Sequence, residues 1–379
     1  MSSNGYLSKE SILALGDKDP EYAEWQKANP EDDEMDWSNI EIARAAVDEW
    51  SREQCNLLPD QGILMNIPMR DGYQSSLRIF RPTFSESCPI PSPPSPVIVL
   101  IHGGAFCCGD NSNFAAQAVA LRALYSATVV LTSYRLVPEH PFPVGQQDIW
   151  DSLEWLAKNA ESALGADMNA GFIVGGVSSG GNAAATIGQM WVDEYANEDH
   201  SPQNSSRPKL TGIWLSVPFL FSSRDHVPKE YQELFWSREQ FKGDSTSGEI
   251  PAAVVKMQQW DTRSRWYSPI NSPNPEPHKI LAKHGLRVHF QAAGRCFARD
   301  DSLIYERILS QNGVETKLDI YPGRVQQCPH AHFAGIEISE SRRCNLEMFK
   351  GFAWLLRKSA PSEEQIVSTV RRVAPSIII

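Results

Sequence analysis

Long uninterrupted apolar runs are missing from this chain. No stretch approaches the roughly 18 residues that a membrane-crossing helix needs, so no membrane span is expected. Met1-Ser2-Ser3-Asn4-Gly5 offers neither basic residues nor an apolar run, and no signal peptide is read there. Positive charge is in deficit. The net charge of −11 argues against non-specific binding to nucleic acid or to an anionic membrane. C-x-x-C and H-E-x-x-H patterns are absent, so neither a metal site nor a cofactor is implied. Internal repeats are absent as well. Cysteine is sparse and odd in number, with seven residues: Cys55, Cys88, Cys107, Cys108, Cys296, Cys328 and Cys344. Without a secretion signal, that count reads as free thiols in a reducing, cytoplasmic compartment.

What is present suits a soluble globular protein with a substantial core. Of 379 residues, 41% are hydrophobic and 21% charged. That length allows two or three domains, or one large α/β domain with insertions. Residues 1–60 are acidic and carry Trp25, Trp37 and Trp50, with helical spacing over Ile40–Arg52. A turn at Arg70-Asp71-Gly72 precedes a strand-like Leu77–Phe80, and the proline-rich Ser85–Pro96 reads as a loop. Short apolar strands then alternate with helices. Strands are expected at 97–101, 128–131, 172–174, 212–220, 287–292 and 316–321. Helices are expected at 115–124, 148–156, 179 towards 195, 300–309 and 345–356. This alternation implies a mostly parallel sheet of about eight strands with helices on both faces.

Residues 195–209 read as a polar surface loop. Residues 222–276 break the alternation and carry Tyr231, Phe235, Trp236, Trp260 and Trp266. The expected organisation is an N-terminal cap segment (1–60), a first core part (61–221), a helical cap insertion (222–276) and a second core part (277–379).

Chemistry concentrates in Gly176-Val177-Ser178-Ser179-Gly180, between a strand and a helix. G-x-S-x-G in that setting is a nucleophile elbow: the glycines relieve a strained turn that projects the serine hydroxyl. Upstream, His102-Gly103-Gly104-Ala105-Phe106 directly follows a strand. Acyl transfer creates an oxyanion that needs preorganised N–H donors. The donors expected here are Gly103, Gly104 and Ser179. Alone, either motif also reads as an ordinary small-residue turn; together, after successive strands, they read as a site.

The chain resembles the hormone-sensitive-lipase-like, carboxylesterase-like branch of the α/β-hydrolases, particularly members from fungal small-molecule pathways. The resemblance covers about residues 70–355. It rests on the two motifs above, on Tyr134-Arg135-Leu136-Val137-Pro138-Glu139-His140-Pro141-Phe142-Pro143, and on C-terminal acid and histidine blocks. The Tyr134–Pro143 segment is read as structural, with Arg135 expected to pair with Glu139 beneath the oxyanion loop. The family's general base maps to His330 in Pro329-His330-Ala331-His332-Phe333, with His332 as the competing choice. The stretch between Gly323 and Pro329 is several residues longer than the family pattern.

The acid block departs from that pattern. Gly294-Arg295-Cys296-Phe297-Ala298-Arg299-Asp300 puts Cys296 where the family has aspartate. A thiol is a weak acceptor, and an apolar site keeps it neutral. Three readings stay open. Another carboxylate substitutes: Asp225 after the 212–220 strand, or Asp300 or Asp301, whose plainer reading is charge at a helix N-terminus. Alternatively a Ser–His dyad works with reduced power. Or the site is redirected to non-hydrolytic lyase, cyclase or isomerase chemistry, which needs only the oxyanion hole and a histidine.

Cys107, Cys108, Cys296 and Cys328 also map near the site. A thiol nucleophile, a metal site or a Cys296–Cys328 bridge is weighed there against plain packing of small apolar residues. The expected function is esterase- or lactonase-like action on a hydrophobic small molecule, with Ser178 as nucleophile and His330 as base. A catalytically silent ligand-binding protein is the further alternative, and a homodimer stays open.

Overall fold

The computed structural model describes residues 8–29, 39–82, 94–197, 207–244, 247–250, 252–323 and 337–379. His330, His332 and Cys328, most of the Ser85–Pro96 loop, and much of 195–209 lie outside the described residues.

Eight strands form one sheet in the order β1-β2-β4-β3-β5-β6-β7-β8. They are β1 Ile63–Pro68, β2 Gln74–Phe80, β3 Val97–Ile101, β4 Thr128–Thr132, β5 Phe172–Val177, β6 Gly212–Ser216, β7 Arg287–Ala293 and β8 Glu315–Tyr321. β1 pairs antiparallel with β2, and β2 with β4; every other pairing is parallel. Parallel neighbours need crossovers, and helices supply them. α4 (Ala115–Tyr125) joins β3 to β4, α5 (Val144–Asn159) joins β4 to β5, and α6 (Ser179–Asn197) joins β5 to β6.

The central strands are apolar without interruption because both faces are covered. Val97, Val99 and Ile101 of β3 pack on one side with Ile149 and Leu153 of α5 and Ala184 and Ile187 of α6. Ile98 and Leu100 pack on the other with Ala118 and Leu121 of α4.

The remaining helices are α1 (Lys9–Ala14), α2 (Pro20–Ala28), α3 (Ile40–Asn56), α7 (Ser237–Gln240), α8 (Ala252–Gln258), α9 (Pro277–His284), α10 (Arg299–Gln311), α11 (Ser339–Leu355) and α12 (Glu363–Val373). Ile366 and Val370 of α12 and Met348 and Phe352 of α11 extend the second face. None of the described helices is long and apolar enough to cross a membrane.

β1, α1, α2, α9 and α12 were not expected from the sequence. β1 is an edge strand whose side chains are mostly exposed or half-buried, so its pattern is faint. The strand expected over 212–220 stops at Ser216. Val217 turns to φ +41, and Pro218 has no N–H to continue a ladder.

The chain runs from β3 outward to β4, then returns past β3 to place β5 on its other side. That reversal opens a crevice at the carboxyl ends of β3 and β5, the place where open α/β sheets hold ligands. The loop after β3 and the turn after β5 border it. The N-terminal segment reaches the same end of the sheet. Leu15 O accepts from Gly323 N at 2.7 Å, just past β8, and Gly16 O accepts from Arg295 past β7 at 3.0 Å.

Candidate active site

β5 ends in a sharp turn. Ser178 sits at φ +55, in the left-handed region that disfavours side chains. Its N–H donates to Ser216 O, and its carbonyl accepts from Asn182 N, both at 2.9 Å. The backbone at Ser178 is therefore held between β6 and the first turn of α6. Neighbouring glycines are obligatory. A Cβ on Gly176 would lie 2.3 Å from Gly180 O, and one on Gly180 would lie 2.1 Å from Ile101 O. Every residue from Gly171 to Asp193 is buried except Ser178, which is half-buried.

The loop after β3 closes against this turn. A Cβ on Gly103 would stand 3.5 Å from Ser178 Cβ and 3.1 Å from Val177 O, so the two motifs are in contact. Gly104 takes φ +103, followed by Ala105 at +50 and Phe106 at +58. The Gly104 carbonyl is turned away into its own turn, where it accepts from Cys107 N at 2.8 Å and Cys108 N at 3.1 Å. Neither the Gly103 nor the Gly104 N–H donates to any described residue. Ser179 opens α6, and its N–H has no carbonyl one turn earlier to bond. Ser178, Gly103, Gly104 and Ser179 are thus brought together at one sheet edge.

The loop is held from below by Tyr134, which follows β4. The Tyr134 hydroxyl donates to His102 O at 2.9 Å, and its ring stacks on His102 with centroids 4.1 Å apart. His102 Nδ1 lies 2.7 Å from Gly103 O, an acceptor, so Nδ1 carries the proton. Burial pulls the His102 imidazole down to about 4, which leaves it neutral near pH 7.

The expected Arg135–Glu139 pair does not form. Arg135 instead pairs with Asp148 of α5 at 2.7 Å and with Asp71 at 2.7 Å. Asp148 is the better partner because it is buried and takes the guanidinium through two oxygens. Glu139 is taken by Arg44 of α3 at 2.8 Å, and Arg44 also donates to Cys107 O and Val137 O.

The acid position is apolar. Cys296 is fully buried, and its sulfur accepts from Ala298 N at 3.2 Å. Burial pushes the thiol up to about 12, so it is neutral at physiological pH.

The nearby carboxylates are engaged elsewhere. Asp300 accepts from Trp236 N at 2.5 Å and Ser237 N at 2.6 Å, and pairs with Arg299 at 2.7 Å. Asp301 accepts from Leu220 N at 2.6 Å and Phe221 N at 2.9 Å, and pairs with Arg238 at 2.9 Å. Both are wholly buried, and both tie the 220–238 stretch to the start of α10. Asp225 lies on an exposed turn, Arg224–His226. Cys107 and Cys108 are buried free thiols that donate to Gly104 O, as packing residues of the loop.

A cavity of about 260 Å³, counting its open mouth, starts at this edge. Ala105, Ser179 and Asn182 form its polar end; Phe219, Ile250, Trp260 and Tyr267 form its apolar wall. Of the five aromatic residues expected over the site, Trp260 lines it. Tyr231 bonds Gln311, Trp236 stacks with Lys9 and Arg224, Phe235 is in the core, and Trp266 packs on Trp150. Three contributors escaped the sequence reading. Arg44 and Gln258, whose Nε2 donates to Ala105 O at 2.7 Å, act across long sequence separations and carry no local signal. Asn182, whose Nδ2 bridges Phe219 O and Tyr267 O at 2.7 Å each, stood beside the elbow glycines.

A family model described as alpha/beta hydrolase fold matches residues 98–330. An AB hydrolase superfamily protein of Schizosaccharomyces pombe is 28% identical over 344 residues, covering 89% of this chain and 94% of the relative. A versiconal hemiacetal acetate esterase of Dothistroma septosporum is 24% identical over 267 residues, 69% and 74% of the two chains. The crystal structure of vibralactone cyclase superposes with a TM-score of 0.75 at 23% identity, over 94% of this chain and 99% of that one. The likeness to that cyclase is one of fold. The elbow, the glycine loop on the neighbouring strand and the match over most of the sheet make this chain a member of the α/β-hydrolase-fold family, in its hormone-sensitive-lipase-like, carboxylesterase-like branch.

Proposed function

We propose that the protein is an esterase- or lactonase-like enzyme acting on a carbonyl of a hydrophobic small molecule of secondary-metabolite type. Ser178 attacks the carbonyl carbon. His330, assigned by its place in the sequence, takes the serine proton and returns it to the leaving oxygen. The N–H groups of Gly103, Gly104 and Ser179 receive the negative charge on the carbonyl oxygen. The observation that carries this reading is the half-buried Ser178 at positive φ, in contact with the Gly103 backbone. The apolar wall of Phe219, Ile250, Trp260 and Tyr267 favours a hydrophobic substrate.

A second reading rests on Cys296. With a neutral thiol at the acid position and Asp300 and Asp301 committed to main-chain amides, imidazolium is poorly stabilised. Proton transfer against an oxyanion hole, as in a lyase, cyclase or isomerase, tolerates that loss better than serine acylation does.

Hydrolysis of p-nitrophenyl acetate and butyrate separates the readings. Turnover abolished by Ser178→Ala, with the fold intact by circular dichroism, supports the hydrolase. Absence of turnover in the wild-type protein, with substrate isomerised or cyclised equally well by Ser178→Ala, supports the second reading and sinks the first.

A further inference from the structure

Behind the site lies a second cavity, and Phe106 and Trp260 line both. Its other walls include Arg135, Phe142, Gln146 and Gln258. We propose that this cavity is a second substrate subsite that takes an uncharged hydroxyl group of the substrate on the side-chain oxygen of Gln258. The proposal rests on the esterase-like reading above and specifies its substrate: a carbonyl compound with an apolar part and a hydroxyl-bearing part.

Gln258 is the last residue of α8 and is fully buried. Its Nε2 donates to Ala105 O at 2.7 Å. Because that carbonyl only accepts, the amide orientation is determined, and Oε1 is the atom left over. Gln258 Oε1 has no hydrogen-bond partner among the described residues. Native proteins seldom leave a buried acceptor without a donor, so the atom calls for one from outside the chain. Phe142 N donates to Gln258 O at 3.1 Å, which holds this helix end against the cavity wall.

The rest of the lining includes Val137, His140 and Gly145, and its one guanidinium is already taken. Arg135 contributes no free positive charge, since Asp148 and Asp71 both pair with it at 2.7 Å. A carboxylate entering the cavity would meet a cation already neutralised. Gln146 is nearly buried and lines the cavity, where its amide can complete the second bond of a hydroxyl. One side chain then links the two cavities. Gln258 grips Ala105 of the oxyanion loop with its nitrogen and the substrate hydroxyl with its oxygen, so seating the hydroxyl sets the carbonyl against the Gly103–Ala105 backbone.

The test compares matched esters by pH-stat: 2-hydroxyethyl butyrate against propyl and 2-methoxyethyl butyrate, and methyl 3-hydroxybutyrate against methyl butyrate. At least one hydroxylated ester is expected to exceed its partners about tenfold in kcat/KM, the worth of one neutral hydrogen bond. The methoxy ester, which cannot donate, gains nothing. Gln258→Leu and Gln258→Met slow every ester through the lost Ala105 contact, and both erase the hydroxyl preference. That ratio is what a purely structural role would leave unmoved. A preference that survives in both variants, or no preference in the wild-type enzyme, overturns the subsite; a cavity holding only water gives the latter result. If no ester is turned over, the hydrolase reading fails separately. The subsite is then read by calorimetry on Ser178→Ala with 2-hydroxyethyl and 2-methoxyethyl butyrate. Tighter hydroxyl binding that Gln258→Leu removes sustains it, and equal binding overturns it.

Discussion

The Arg44 guanidinium forks onto the Glu139 carboxylate at 2.8 and 3.0 Å, and its third nitrogen donates to Cys107 O at 2.8 Å. Helix α3 is thereby fastened to the backbone that follows Phe106. The pair is partly exposed, and its direct contribution to stability is small. Its value lies in holding the loop that packs against Ser178. Arg44→Ala should lower kcat on p-nitrophenyl butyrate about tenfold while moving the urea midpoint little. Arg44→Lys should recover little, because an ammonium cannot serve the fork and the two carbonyls together. A kcat equal to wild type would show that the tie only anchors α3.

Cys296→Asp restores a carboxyl group where the sulfur now accepts from Ala298 N. Under the hydrolase reading, ester turnover should rise by about a hundredfold or more, within the roughly 10⁴ that the triad aspartate contributes in serine proteases. Steady-state kinetics on one ester decides it. An unchanged rate would mean that no acid is needed at this position.

Burial raises the Asp301 carboxyl to about 6 from an ordinary 3.8, against the pull of Arg238 and of the Phe221 and Leu220 amides. A raised value means that the folded state holds the proton more tightly. The stabilisation is complete below the unfolded value and disappears as pH rises through about 6. Lowering the pH from 7 to 5 should therefore favour wild type over Asp301→Asn by about 1 kcal/mol in urea unfolding. A difference that is flat across this range would place the carboxylate's folded value well below 5.

Gly180 and Gly103 are constrained differently. A Cβ on Gly180 meets Ile101 O at 2.1 Å and His102 O at 2.5 Å, both rigid backbone atoms. Gly180→Ala should cost about 3 kcal/mol or more and abolish activity. On Gly103 the contacts are 3.1 Å or longer, so Gly103→Ala should fold and show its effect mainly in kcat. Thermal denaturation alongside kinetics distinguishes the two. A Gly180→Ala protein with wild-type stability would contradict the close approach of β3 and α6.

The parallel sheet was legible because its strands are continuous apolar runs separated by helical periods. Val97–Ile101 and Thr128–Leu131 read as buried strands, and both are buried on both faces. β1 was not legible, because an edge strand with Ile63 and Leu64 exposed carries no alternation. Elbow and glycine loop were legible because each is a local backbone requirement, written within five residues. Partners of Arg135, Glu139 and Asp300 were not, since ion pairs are chosen by which helices pack together. Arg44 and Glu139 stand 95 positions apart.

From the chain alone came the fold class, the serine at a strained turn and the glycines beside it, because the motif that carries them is written within five consecutive residues. Only the folded molecule decided that Asp300 and Asp301 accept from main-chain amides of the 220–237 stretch, that Cys296 is sealed and neutral, and that Gln258 reaches Ala105. Those outcomes depend on desolvation and on distances between segments far apart in sequence, quantities that exist only once the sheet and its helices have packed.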